Sequence, residues 1–149
     1  VLLFTARRAP APRAMAAGRA HRLRLVGMSV PRAAFTLQLR GRDAAGGDTA
    51  RGDAARGDTA LAVRRWRVVA KDGADVPPEA ARVWRPASVI LAVGETVDVE
   101  VTPDAPGTLQ LDAVFGLGPT GRPAGPVYRM GTYPIRVLPR EHADASSKD

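Results

Sequence analysis

From His21 onward, apolar and polar positions alternate with a period of two, the spacing at which side chains of an extended strand point to opposite faces. In His21-Arg22-Leu23-Arg24-Leu25-Val26, Leu23 and Leu25 share one face and Arg22 and Arg24 the other. Phe35, Leu37 and Leu39 alternate with Thr36, Gln38 and Arg40 in the same way, and Trp66, Val68 and Ala70 alternate with Arg65, Arg67 and Val69. Ser88 to Val93 is almost continuously apolar. The clearest strand follows it, with Val97, Val99 and Val101 on one side and Asp98, Glu100 and Thr102 on the other. Pro103-Asp104-Ala105-Pro106-Gly107 then turns the chain, and Leu109, Leu111, Ala113 and Phe115 resume the alternation, so a hairpin is expected here. A last strand is expected over Thr132 to Leu138, where Pro134 implies an edge position or a bulge. Helical spacing is sustained nowhere, although Pro78-Glu79-Ala80-Ala81-Arg82 can form one short turn. About seven strands separated by turn signals predict an all-β chain folded as an antiparallel Greek-key β-sandwich.

Four stretches fall outside this pattern. Residues 1–20 mix small, basic and proline residues without a period and read as an irregular basic lead-in to a sandwich over residues 21–139. Residues 43–62 read as a loop insertion, and within it residues 46–60 spell GGDTA-RGDAA-RGDTA, three copies of a five-residue unit too small and polar to build a solenoid. The repeat produces Arg51-Gly52-Asp53 and Arg56-Gly57-Asp58, so these tripeptides are explained without an adhesion function. Gly116 to Pro126, dense in Gly and Pro, reads as a long connection. Residues 140–149 read as a polar frayed tail.

Charge is strongly asymmetric. Residues 1–42 carry nine arginines (Arg7, Arg8, Arg13, Arg19, Arg22, Arg24, Arg32, Arg40, Arg42) and no acid, whereas 13 basic and 15 acidic residues follow from Asp43 onward. A basic arm can bind polyanions, but with 5% aromatic residues no stacking platform interleaves these arginines, and nucleic acid is not the expected partner. No apolar run reaches the roughly 18 residues of a helical membrane span, since Val1-Leu2-Leu3-Phe4 soon meets Arg7 and Arg8. The start shows no basic region followed by an adequate apolar one, so no secretory signal is visible.

Chemistry is sparse. The chain has no cysteine, which removes disulfides, thiolate metal sites and cysteine nucleophiles, and its two histidines, His21 and His142, lie far apart. Each reads as a surface or edge imidazole. Asp72 and Asp75 flank an Asp-Gly turn and lack the apolar surroundings that would separate two carboxyl pKa values for acid and base roles. Trp66 and Trp84 read as packing residues. No catalytic, cofactor-binding or metal-ligating residues are assigned.

The blocks His21-Arg22-Leu23-Arg24-Leu25-Val26, Trp66 to Pro78 (WRVVAKDGADVPP), Arg85-Pro86-Ala87, Val93 to Pro103 (VGETVDVEVTP) and Pro106-Gly107-Thr108-Leu109-Gln110-Leu111 resemble, in order and spacing, a cupredoxin-type domain of bacterial multicopper oxidase-like proteins. The resemblance covers residues 21–115, and Pro134 to Leu138 resembles that domain's closing strand. It implies a cupredoxin-like sandwich, a copper-dependent oxidoreductase as parent, a periplasmic or extracellular location, and other cupredoxin domains of the parent as partners. Blue copper needs a Cys thiolate and two His, and the oxygen-reducing cluster needs His-x-His pairs. Neither set is present, so no copper ligand carries over and the expected role is architectural, in a chain that reads as a fragment. A stand-alone β-sandwich binding module and a basic-arm nucleic-acid binder are the rival readings.

Overall fold

A computed structural model describes residues 11–28, 34–42, 61–118 and 122–140. The strands are β1 (Arg13–Ala16), β2 (His21–Val26), β3 (Phe35–Gly41), β4 (Ala62–Val63), β5 (Arg65–Lys71), β6 (Ala74–Asp75), β7 (Arg85–Pro86), β8 (Ser88–Leu91), β9 (Thr96–Val101), β10 (Gly107–Leu117) and β11 (Pro123–Leu138), with one helical turn, α1 (Pro78–Ala81). They form two sheets. The first runs β1-β11-β10-β3-β4, with β8 also pairing β3, and the second runs β2-β9-β5-β6, with β7 pairing β5. All pairings are antiparallel except β1 with β11. The fold is therefore the all-β sandwich that the alternation predicts, with more strands than expected because β1 and the two-residue pairings β4, β6 and β7 are added to it.

The two inner faces meet in one core. Val97, Val99 and Val101 of β9 and Leu25 of β2 pack with Leu37 and Leu39 of β3, Leu109, Leu111 and Ala113 of β10 and Tyr133, Ile135 and Val137 of β11, around a fully buried Trp66. Burial of each large side chain contributes about 1.5–3 kcal/mol.

Several expectations need correction. Residues 13–16, inside the expected irregular lead-in, form β1: Met15 and Ala16 are buried, and the segment lies parallel to Ile135–Leu138. One methionine among alanines is enough to anchor a strand whose hydrogen bonds an existing edge supplies. The stretch from Val97 to Ala113 is not a hairpin, because β9 and β10 lie in different sheets and Pro103–Pro106 carries the chain across the sandwich. Each strand has one apolar face, and facing those across the core buries both. In β5 the register shifts between Val68 and Ala70, placing Ala70 opposite Asp98, hence on the outer face rather than beside Trp66. On β3 the polar face is also covered, with Thr36 and Gln38 buried, because the strand is flanked along its length by β10 on one side and by β8 and β4 on the other.

The largest difference concerns Gly116 to Pro126. Instead of one long connection, β10 continues to Leu117 and β11 begins at Pro123, making a two-stranded arm in which Phe115 pairs with Tyr128. A bulge between Ala113 and Val114 and positive φ at Gly116 reshape this arm. Pro134 sits where β11 is still an edge, since β1 pairs it only from Ile135 onward. The repeat at residues 46–60, its two Arg-Gly-Asp tripeptides, Arg7, Arg8, Arg32 and His142 lie outside the described residues. The end of the expected insertion does not, because Ala62 already pairs with Gly41.

Candidate interaction surfaces

The single described histidine is a structural staple. Ala16 donates its backbone N–H to His21 Nε2 at 2.9 Å, and the Ala16 carbonyl lies 3.1 Å from the same nitrogen, so the imidazole ties the end of β1 to the start of β2. An edge imidazole is what the sequence predicts. Asp72 and Asp75 do not converge: Asp72, at φ 49°, accepts the Thr96 N–H on Oδ1 at 2.9 Å, whereas Asp75 lies 3.9 Å from Arg22. Asp72-Gly73 is the positive-φ turn that its sequence implies, although its side-chain hydrogen bond reaches across to β9 rather than staying local. Trp66 is core. Trp84 is partly exposed, and the Arg67 guanidinium lies 5.7 Å from its ring centroid.

Two buried carboxylates organise the outer faces, and the alternation pattern marks both merely as outward. On the second sheet, Asp98 accepts Nε of Arg22 at 2.9 Å and both Nε and Nη2 of Arg24 at 2.8 and 2.9 Å. The hydrogen bonds from Arg24 are the main reason the Asp98 carboxyl is held below the usual carboxylate range; burial opposes the shift, and Arg22 adds to it. Arg67 extends the ladder by pairing with Glu100. On the first sheet, Asp112 is fully buried opposite Gln38 and Thr132, and accepts the Thr132 hydroxyl on Oδ1 at 2.6 Å. Its Oδ2 lies 3.6 Å from Arg40 and 3.7 Å from Arg129, with no hydrogen bond to either. Arg40 meanwhile clamps the Leu61 carbonyl through Nε and Nη2, closing the base of the segment between β3 and β4. Arg22, Arg24 and Arg40, three arginines of the basic first third, are thus engaged with internal carboxylates.

Among the described residues no group of three or more His, Cys, Asp or Glu is placed to hold a metal ion. Among the described residues the donors do not fit a blue-copper site: the sequence supplies no thiolate, and His21 Nε2 is engaged with the Ala16 backbone. No helix among the described residues is long and apolar enough to cross a membrane.

No family model matches the chain. No curated protein matches it either. Among solved structures the chain is similar to a multi-copper oxidase from Pediococcus acidilactici, with a TM-score of 0.51 and 9% identity, over 89% of this chain and 22% of that one. At that identity the similarity is one of fold, and this chain spans about a fifth of the oxidase's length. Together with the two-sheet topology, it makes the architecture a cupredoxin-like β-sandwich.

Proposed function

We propose that the chain is an architectural cupredoxin-type domain of a multicopper oxidase-like protein, folded around an apolar core and carrying no copper of its own. The observation that carries this reading is the combination of a cupredoxin-like sandwich with a donor inventory of no cysteine and two histidines. In this reading the domain spaces copper-bearing neighbours of the same protein in a periplasmic or extracellular setting, and catalysis resides in those neighbours. The fold of the chain supplies rigidity: both outer faces carry Arg–Asp clusters, and the interior is filled by Trp66, Ile135 and the β9 valines. The coding sequence upstream of Val1 tests the proposal. His-x-His pairs encoded there support it, and an upstream region encoding no further cupredoxin-type domain removes it. A stand-alone binding module is the second reading, favoured by one observation, the exposed apolar side chains along the β10–β11 arm.

A further inference from the structure

The margin of the second sheet where β7 meets β5 presents an aromatic ring to solvent. Trp66 points into the core, so its neighbours Arg65 and Arg67 share the outer face of β5. There β7 pairs with Arg65 opposite Pro86 and Trp66 opposite Arg85, and Trp84 immediately precedes it. Both outer arginines hold this tryptophan in place. Arg65 Nη2 donates to the Trp84 carbonyl at 2.8 Å, and the Arg67 guanidinium, itself bonded to Glu100 of β9, lies 5.7 Å from the ring centroid. Tryptophan is highly buried on average. Trp84, with its backbone anchored and a cation on its π-system, is nevertheless 37% exposed.

Charge around the ring is unbalanced. Glu100 neutralises Arg67, whereas Arg65, Arg82 and Arg85 are exposed and none of them has a carboxylate partner. Arg82 caps the end of α1 and Arg85 opens β7, so these two bracket Trp84 in the stretch Arg82-Val83-Trp84-Arg85. Glu79, in the first turn of α1, offsets only one of the three.

We propose that this margin binds an acidic polysaccharide of the polyuronate type, with one sugar ring on the Trp84 indole and the carboxylates of that ring and its neighbours on Arg65, Arg82 and Arg85. A pyranose ring has a face of C–H bonds that packs flat on an indole, and a carboxylate matches the planar fork of donors that a guanidinium presents. A single-stranded nucleic acid also carries rings and anions, but it stacks successive bases on successive aromatic side chains. Among the described residues, Trp84 and the enclosed Trp66 are the only aromatic side chains on or beside this sheet, so one stacked ring is what the surface accommodates. An acidic peptide stretch brings charge without the flat C–H face.

Titration of the isotopically labelled chain with an oligogalacturonate, followed through the indole N–H signals of its two tryptophans, tests this. The Trp84 signal is expected to shift and saturate, while that of Trp66, enclosed in the core, stays in place. By calorimetry, a neutral glucose oligomer of equal length, poly-aspartate and oligothymidylate are each expected to bind about tenfold more weakly or worse. Affinity for the oligogalacturonate is expected to fall about tenfold in Trp84→Ala and severalfold in Arg85→Glu, and to be unchanged in Arg136→Glu, a basic position on the first sheet. Trp84 and Arg85 are exposed, so thermal melts of these variants are expected to match wild type, and Arg82→Glu repeats the test should the alanine variant melt early. A Trp84 signal that does not respond to oligogalacturonate overturns the proposal. So does binding that survives both Trp84→Ala and Arg85→Glu. Equal affinity for poly-aspartate or oligothymidylate marks a surface for polyanions in general and overturns the polysaccharide assignment.

Discussion

Replacing Asp98 by alanine distinguishes the folded structure from a simple inside–outside reading of β9. Alternation alone places Asp98 outward, where truncation costs within about 0.5 kcal/mol. In the structure its side chain is 4% exposed and accepts three hydrogen bonds from two guanidinium groups. A hydrogen bond to a charged group contributes about 1.5–3 kcal/mol where both partners are sheltered from water. Compensation is large here, because the Arg22 and Arg24 side chains are 51% and 65% exposed and return to water when the carboxylate is removed. The expected net loss is about 1–2 kcal/mol, read as a lower midpoint in urea unfolding with unchanged slope. Asp75→Ala, removing a carboxylate that is 87% exposed, is expected to stay within about 0.5 kcal/mol. The pH dependence has a definite sign. Asp98 is held below the ordinary carboxylate range in the folded chain, so its contribution is present above the unfolded value of about 3.9 and is lost as pH falls below it. Asp98→Asn is therefore expected to lower stability at neutral pH and to flatten the acid limb below about pH 4. Equal midpoints for Asp98→Ala and Asp75→Ala would mean that the two guanidinium groups do not stabilise the buried carboxylate.

Other expectations follow from the same geometry. Val99→Asp, which places an unpaired carboxylate at a fully buried core position, is expected to cost about 3 kcal/mol or more in denaturant unfolding. Asp112→Ala strips Thr132, Arg40 and Arg129 of a shared partner and is expected to cost about 2–3 kcal/mol, less than a fully enclosed pair because both arginines reach solvent. Replacing residues 46–60 by a four-residue Gly-Asp-type turn is expected to change stability by about 1 kcal/mol or less, since Gly41 and Ala62 already hold the two ends together. Loss of folding in that variant would show that the repeat packs on the sandwich.

Face assignment was the legible part of this sequence. The alternation over Val97 to Val101 and Leu109 to Ala113 names the inward residues correctly, because burial of one sheet face imposes a period of two whatever the neighbours are. Neighbours were not legible. The same pattern suits a hairpin and a crossing between sheets, and only packing across the core separates the two for β9 and β10. Phe115 continues the period of Ala113 yet is exposed, because the second sheet ends before it does, a fact about another part of the chain. The β5 bulge carries no Gly or Pro to announce it, and Asp98 and Glu100 look alike in sequence although their arginine partners, about 75 and 33 residues away, differ in number and burial. Asp112 was invisible for the same reason: its burial depends on Arg40, Arg129 and Gln38 lying across from it. Composition decides one point by itself: with no cysteine, the chain offers no copper–thiolate ligand.

A Cu(II) titration of the isotopically labelled chain, followed by NMR and visible absorption, tests the proposal that this cupredoxin-like sandwich does not itself hold copper. Weak, non-saturating broadening is expected, confined to the neighbourhoods of the two imidazoles and exposed carboxylates and reversed by a modest chelator, with no band near about 600 nm of the kind copper–thiolate sites give. Stoichiometric, chelator-resistant binding that broadens one compact set of resonances from three or more side chains would contradict it.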